Sequence, residues 1–96
     1  MKLSKLSARE IEGVLDSYCG WTRQEGVLIK RFSFTDFEET IRFVNRVAAL
    51  AQAADHHPDM RITYRHCTLT YVTHEIGGIS AKDLHAIKEI EGWKQG

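Results

Sequence analysis

Residues 27–58, VLIKRFSFTDFEETIRFVNRVAALAQAADHHP, change their hydrophobic period part-way along. In the first eight, Leu28, Phe32 and Phe34 share one parity while Arg31 and Ser33 take the other, the alternation of a strand with one buried face. Lys30 breaks the apolar parity, and its stem is expected to lie along apolar surface with the charge in water. From Thr35 the period lengthens to that of a helix. Thr35-Asp36-Phe37-Glu38 has the form of a capping box, and Phe37, Ile41, Val44, Ala48 and Ala51 follow along one stripe, widened by Phe43, Val47 and Leu50. So broad an apolar face, ending in the small-residue run 48–54, fits burial against the chain's own sheet alone or against a second subunit as well. Pro58, with the extended preference it imposes on His57, is expected to end the helix before the His56-His57 pair.

Upstream of this stretch, 21–24 and 27–34 flank Glu25-Gly26, a turn-prone pair, and read as a β-hairpin. Before it, Ser7-Ala8-Arg9-Glu10 forms a capping box that opens a first helix through Ile11, Val14, Leu15 and Tyr18, stopped by Cys19-Gly20. Downstream, 61–66 carries Ile62 and Tyr64 on one parity, and 67–74 carries Leu69 and Tyr71 on another among Thr68, Thr70 and Thr73; this is a second hairpin. Gly77-Gly78 makes a loop. Ser80-Ala81-Lys82-Asp83 is a third capping box, leading a last helix through Leu84, Ile87 and Ile90 that Gly92 closes. The expected order is α-β-β-α-β-β-α. That is an α+β fold, a four-stranded antiparallel sheet with three helices packed on one face, in a single domain spanning 1–96.

Composition narrows the function. Thirteen basic and thirteen acidic side chains cancel, which leaves no field of the kind that attracts nucleic acid or an anionic membrane. Two cysteines are too few for a disulfide framework, and Lys2, Lys5, Arg9 and Glu10 occupy the region where a signal peptide needs an apolar run. No uncharged segment approaches the roughly twenty residues that span a bilayer. A soluble cytoplasmic protein with reduced thiols is expected.

The titratable chemistry is concentrated between Asp55 and Asp83. His56 and His57 sit in a proline-terminated turn, and His74 ends a strand of threonines just before a glycine loop, so a turn and a strand end could bring three imidazoles together with Asp83. Each has an ordinary alternative: single histidines are mostly surface or structural, the reading given to His66 and His85, and Asp83 as third residue of a capping box is expected for helix reasons alone. His56, His57, His74 and Asp83 or Cys67 could also ligate a metal. Against that, adjacent residues in an extended turn point apart and the usual zinc spacings are absent, so no metal is assigned. Cys67 has no cation beside it in sequence and is read as a small core residue.

The series His56-His57-Pro58, Tyr64, His74, Asp83 resembles the signature of the pterin-4a-carbinolamine dehydratases, also known as the dimerisation cofactor of a homeodomain transcription factor. The resemblance covers nearly the whole chain, through Gly20-Trp21, Glu25-Gly26, Phe32-Ser33-Phe34, Asp36-Phe37, Arg46-Val47-Ala48, Asp55 to Pro58 and Thr73-His74-Glu75. It implies that the chain removes water from a 4a-hydroxytetrahydropterin left by an aromatic amino acid hydroxylase, giving quinonoid dihydropterin. It further implies that His56, His57 and His74 surround the pterin, that Asp83 supports them, and that Pro58, Thr73, Glu75 and Ile76 line the site, Ile76 through its backbone. No cofactor is implied, since the substrate is itself a used pterin cofactor. A homodimer or homotetramer is expected. Two positions depart from the motif, Gln52 where a charged residue is usual and Lys82 where Arg is familiar, and both are expected to tune the site. The competing readings are a non-catalytic pterin-binding or protein-interaction module, and a pterin role outside phenylalanine hydroxylation, for example near molybdopterin metabolism.

Overall fold

The computed structural model describes residues 3–93. Its elements follow the expected order: α1 (Ala8–Leu15), β1 (Thr22–Gln24), β2 (Val27–Ser33), α2 (Phe37–Ala54), β3 (Asp59–Ile62), β4 (His66–Tyr71), a 3₁₀ turn at His74–Ile76, and α3 (Ala81–Glu91). The strands form one antiparallel sheet in the order β1-β2-β4-β3. Two sequence-local hairpins are therefore joined side by side through their second strands.

The β1–β2 hairpin turns on Glu25 (φ 49°) and Gly26 (φ 82°). Two consecutive positive φ angles match the right-handed twist of paired strands, and glycine takes such a position without steric cost. In β4 the alternation is clean, with Cys67, Leu69 and Tyr71 buried and Thr68 and Thr70 on the opposite face. Leu28, Lys30 and Phe32 of β2 lie across from Tyr71, Leu69 and Cys67, so one sheet face is shared by both hairpins. Onto that face pack Ile11 of α1, Val47 of α2, and Leu84, Ile87 and Ile90 of α3.

Several boundaries differ from the sequence reading. The second hairpin begins at Asp59, directly after Pro58, and Tyr64 falls in the 63–65 turn with 65% exposure instead of on the strand face shared with Ile62. The N-cap of α2 is Asp36, whose carboxylate accepts from the Glu39 amide; Thr35 instead donates to the Glu39 carboxylate, four residues on. Those Thr35 bonds, hydroxyl first and then backbone, hold the Glu39 carboxyl below the usual carboxylate range. Along α2 the buried stripe is Thr40, Val47 and Ala51, with Val44, Phe43 and Leu50 half-buried. Phe37, 52% exposed, and Ala48 lie outside it. Gly92 caps α3 with ordinary right-handed backbone, so its permissiveness is not what stops the helix.

Lys30 is the sharpest departure. Its partly buried ammonium bonds Glu91 Oε2 at 2.7 Å and the Cys19 carbonyl at 2.9 Å, while the Trp21 indole donates to the same Glu91 oxygen at 3.0 Å. A buried carboxylate on α3 is thereby tied to β2 and to the residue that leads into β1.

Candidate active site

α2 ends at Ala54, four residues before Pro58, and by a different device. Asp55 adopts the left-handed conformation (φ 51°, ψ 43°), its amide reaches back to Gln52, and the His56 amide donates to the Ala51 carbonyl at 3.1 Å. This paired closure is the Schellman arrangement, in which asparagine or aspartate can stand in for glycine. It reverses the chain sharply, so that His56 enters the protein while His57 stays at the surface.

His56 is 9% exposed and its ring stacks on Tyr71, with centroids 5.8 Å apart. Its Nε2 lies 2.6 Å from Asp83 Oδ1. The other Asp83 oxygen accepts from Thr73 Oγ1 at 2.7 Å and from the Ser80 amide at 2.9 Å, and Thr73 Oγ1 also meets Ser80 Oγ at 2.7 Å. Asp83, fully buried, closes the capping box of α3 and meets the His56 ring at the same time. A carboxylate in its ionised form only accepts, and the ring that donates Nε2–H to it has Nδ1 outside this contact.

Thr73 links this buried group to the next segment. His74 and Glu75 follow it into the exposed 3₁₀ turn, with Ile76 half-buried and Gly77 left-handed at its end. Pro58, half-buried, leads into β3. His57 Nε2 approaches Gln52 Oε1 at 3.4 Å. Gln52 lies four residues before His56 and in a continuous helix would share its face, but the turn at Asp55 breaks that spacing and brings Gln52 to His57 instead.

A cavity of about 300 Å³ opens between the end of α2 and the start of α3, walled by His56, Lys82, His85, Leu50, Ala54 and Ala86. Lys82 was expected at the site. His85, expected to be an ordinary surface histidine, shares a helical face with Ala81 and Lys82 and so stands on the cavity wall, a placement its spacing in the sequence allows. Tyr71 was also missed. It was read only as a core strand residue, yet it floors the His56 ring, and burial followed by the nearby Asp83 charge pushes its phenol upward. Its hydroxyl is the one buried side-chain polar atom without a hydrogen-bond partner among the described residues. Cys67 is fully buried, and burial pushes its thiol up to about 11, which suits a core residue and not a nucleophile. Among the described residues, no three His, Cys, Asp or Glu side chains are grouped to hold a metal ion.

The sequence of residues 4–93 matches the family model described as pterin 4 alpha carbinolamine dehydratase. A Roseiflexus sp. (strain RS-1) protein with the provisional name pterin-4-alpha-carbinolamine dehydratase is 43% identical over 88 residues, 92% of this chain and 95% of its own. One from Thermomicrobium roseum, provisionally named likewise, is 39% identical over the same shares. In structure, a transcriptional coactivator/pterin dehydratase from Brucella melitensis superposes with a TM-score of 0.88 over 93% of this chain and 97% of its own at 24% identity. A pterin dehydratase-like protein identified as a RuBisCO assembly factor in the alpha-carboxysome gives 0.68 over 78% and 89% at 19% identity, a likeness of fold alone. The match along almost the whole described chain, with two relatives at about two-fifths identity, makes this protein a member of the pterin-4-alpha-carbinolamine dehydratase family.

Proposed function

We propose that the chain is a 4a-hydroxytetrahydrobiopterin dehydratase that returns quinonoid dihydropterin to the tetrahydropterin cycle of an aromatic amino acid hydroxylase. The observation that carries this reading is the buried Asp83–His56 pair, an imidazole fixed in one tautomer beside a cavity of ligand size. Dehydration breaks the C4a–O bond as a proton reaches the departing hydroxyl. It also removes the proton from N5, whose electron pair closes the C4a–N5 double bond. Water and the quinonoid product balance the equation with no oxidant or reductant.

Two proton transfers need two positioned groups, and imidazoles titrate near pH ~6.5, so they serve as acid or base at neutral pH. His56, oriented by Asp83, is one; His57 and His74, both exposed, supply the other and exchange protons with water. Pro58, Thr73, Glu75 and the Ile76 backbone line the pterin. Gln52 and Lys82 adjust the histidines and the cavity wall. No metal or organic cofactor takes part. We further propose a homodimer or homotetramer, because the strands at the sheet edges and the exposed Phe37 of α2 call for cover.

Stopped-flow measurement of carbinolamine dehydration by the purified protein tests this. An acceleration well above buffer is expected, while a folded protein no faster than buffer would leave the non-catalytic module as the better reading.

A further inference from the structure

The sheet has a second face, turned away from the helices. On it, Arg31 of β2 and Arg61 of β3 both pair in register with Thr68 of β4, one from each side. With strands about 4.8 Å apart, the two arginine backbones stand roughly 10 Å apart across a threonine, and their long side chains can close over its hydroxyl. One pair along, Ser33 faces His66, and the Thr63 hydroxyl lies 3.5 Å from His66 Nδ1. Arg31, Arg61, Thr63, His66 and Thr68 line a depression of about 300 Å³.

The charges in this depression are unbalanced. Among the described residues, neither guanidinium is ion-paired, in contrast to Lys30 and Arg42, which hold Glu91 and Glu38. The single carboxylate carried on this face by β2, β3 and β4 is Asp59, which pairs with Thr70 and makes no ion pair with Arg61. Two like charges flanking one threonine repel where their side chains converge, and a bound anion would relieve them.

We propose that this depression is an oxyanion site for a small doubly charged phosphate, free or as a phosphomonoester. Two guanidiniums offer planar pairs of donors that match tetrahedral oxygens, and the threonine hydroxyls and the His66 ring complete the shell. A chain of zero formal charge lacks the extended field that a polyanion such as nucleic acid needs, so a compact anion fits better. The site lies on the sheet face opposite His56 and stands whether or not the dehydratase reading does.

The test is a titration of isotope-labelled protein with inorganic phosphate at constant ionic strength, followed by amide NMR shifts. Saturable shifts at Arg31, Arg61, Thr63, His66 and Thr68 are expected, with affinity falling about tenfold or more in Arg31→Gln and in Arg61→Gln. Both variants should keep the wild-type melting temperature and dehydration rate; Thr68→Val, which removes a donor and keeps the shape, replaces either one that does not fold. A parallel titration with glycerol 3-phosphate separates the sources, since tighter binding assigns the site to a phosphomonoester and equal binding to free phosphate. Shifts that fail to saturate, that chloride reproduces, or that survive both arginine substitutions overturn the proposal, as does preferential binding of an oligonucleotide.

Discussion

Two carboxylates are buried at opposite ends of α3, and each holds a cation or potential cation from the rest of the fold. Glu91 receives the Lys30 ammonium and the Trp21 indole; Asp83 receives the His56 imidazole, the Thr73 hydroxyl and the Ser80 amide. In the first set the ammonium and the indole N–H both act as donors to the one Glu91 oxygen. The second ends in a ring that has used one nitrogen and kept another. Similar burial and similar distances therefore stand in different surroundings, a clamp on the first hairpin at one end and, in the proposed dehydratase, a proton-handling group beside a cavity at the other. What separates them is the chemistry of the donor and its access to space.

The largest expected effect probes the second set. His56→Ala and His74→Ala should each lower the dehydration rate by about 10²–10⁴-fold in stopped flow while circular dichroism stays native. Wild-type rates in both folded variants would erase the distinction between the two ends. Glu91→Ala should do the reverse, losing roughly 3 kcal/mol in urea unfolding because it strands the Lys30 ammonium in a nearly closed site, with the rate per folded molecule kept. If Glu91→Ala instead lowered the rate at unchanged stability, the clamp would belong to the site.

A finer contrast uses Gln52→Glu. A carboxylate beside His57 favours the imidazolium, so the alkaline limb of the pH–rate profile should move upward at matched ionic strength; a limb that stays put would reduce Gln52 to packing. The smallest effect lies in the core between the two ends. The Cys67 thiol, pushed up from 9.0 to about 11 by burial, favours the folded state below the unfolded value, and this contribution is lost as pH rises through 9 to 11. Urea midpoints across that window should fall, and thiol reagents should label Cys19 well before Cys67. Equal labelling in native buffer would contradict the packing described.

The strands and helices were readable because the hydrophobic period, the capping boxes of the first and last helices and one turn pair agreed on where they lie, while the box read at Thr35 fell one residue short of the true cap, Asp36. The sequence misled where tertiary contacts overrode local pattern. Lys30 looked like a surface residue snorkelling to water, and only the distant Glu91 explains its inward parity. Tyr64 alternated with Ile62 yet fell in the hairpin turn, since Pro58 starts the strand earlier than alternation alone suggested. At the site, the proline was legible but the left-handed Asp55 was not, because aspartate marks that conformation far less firmly than glycine. That one residue moved Gln52 from the first histidine to the second. His85 could have been found from its helical spacing to Lys82, whereas the stacking of Tyr71 under His56 needs the register of β4 and has no local signal.

The joining of the hairpins through β2 and β4 bears on how the chain reaches this state. Each hairpin closes locally, on the scale of ~1–10 μs, and α2 can form on its own faster still. The seam between β2 and β4 has all of α2 lying between its strands in sequence, so it brings in the loop-closure entropy that slows folding. His56 and Asp83 meet across that seam's helical cover and not within any local unit. The His56–Asp83 pair would then be assembled late, after the parts that carry its two residues have formed, and a chain that holds both hairpins without the seam would still lack it.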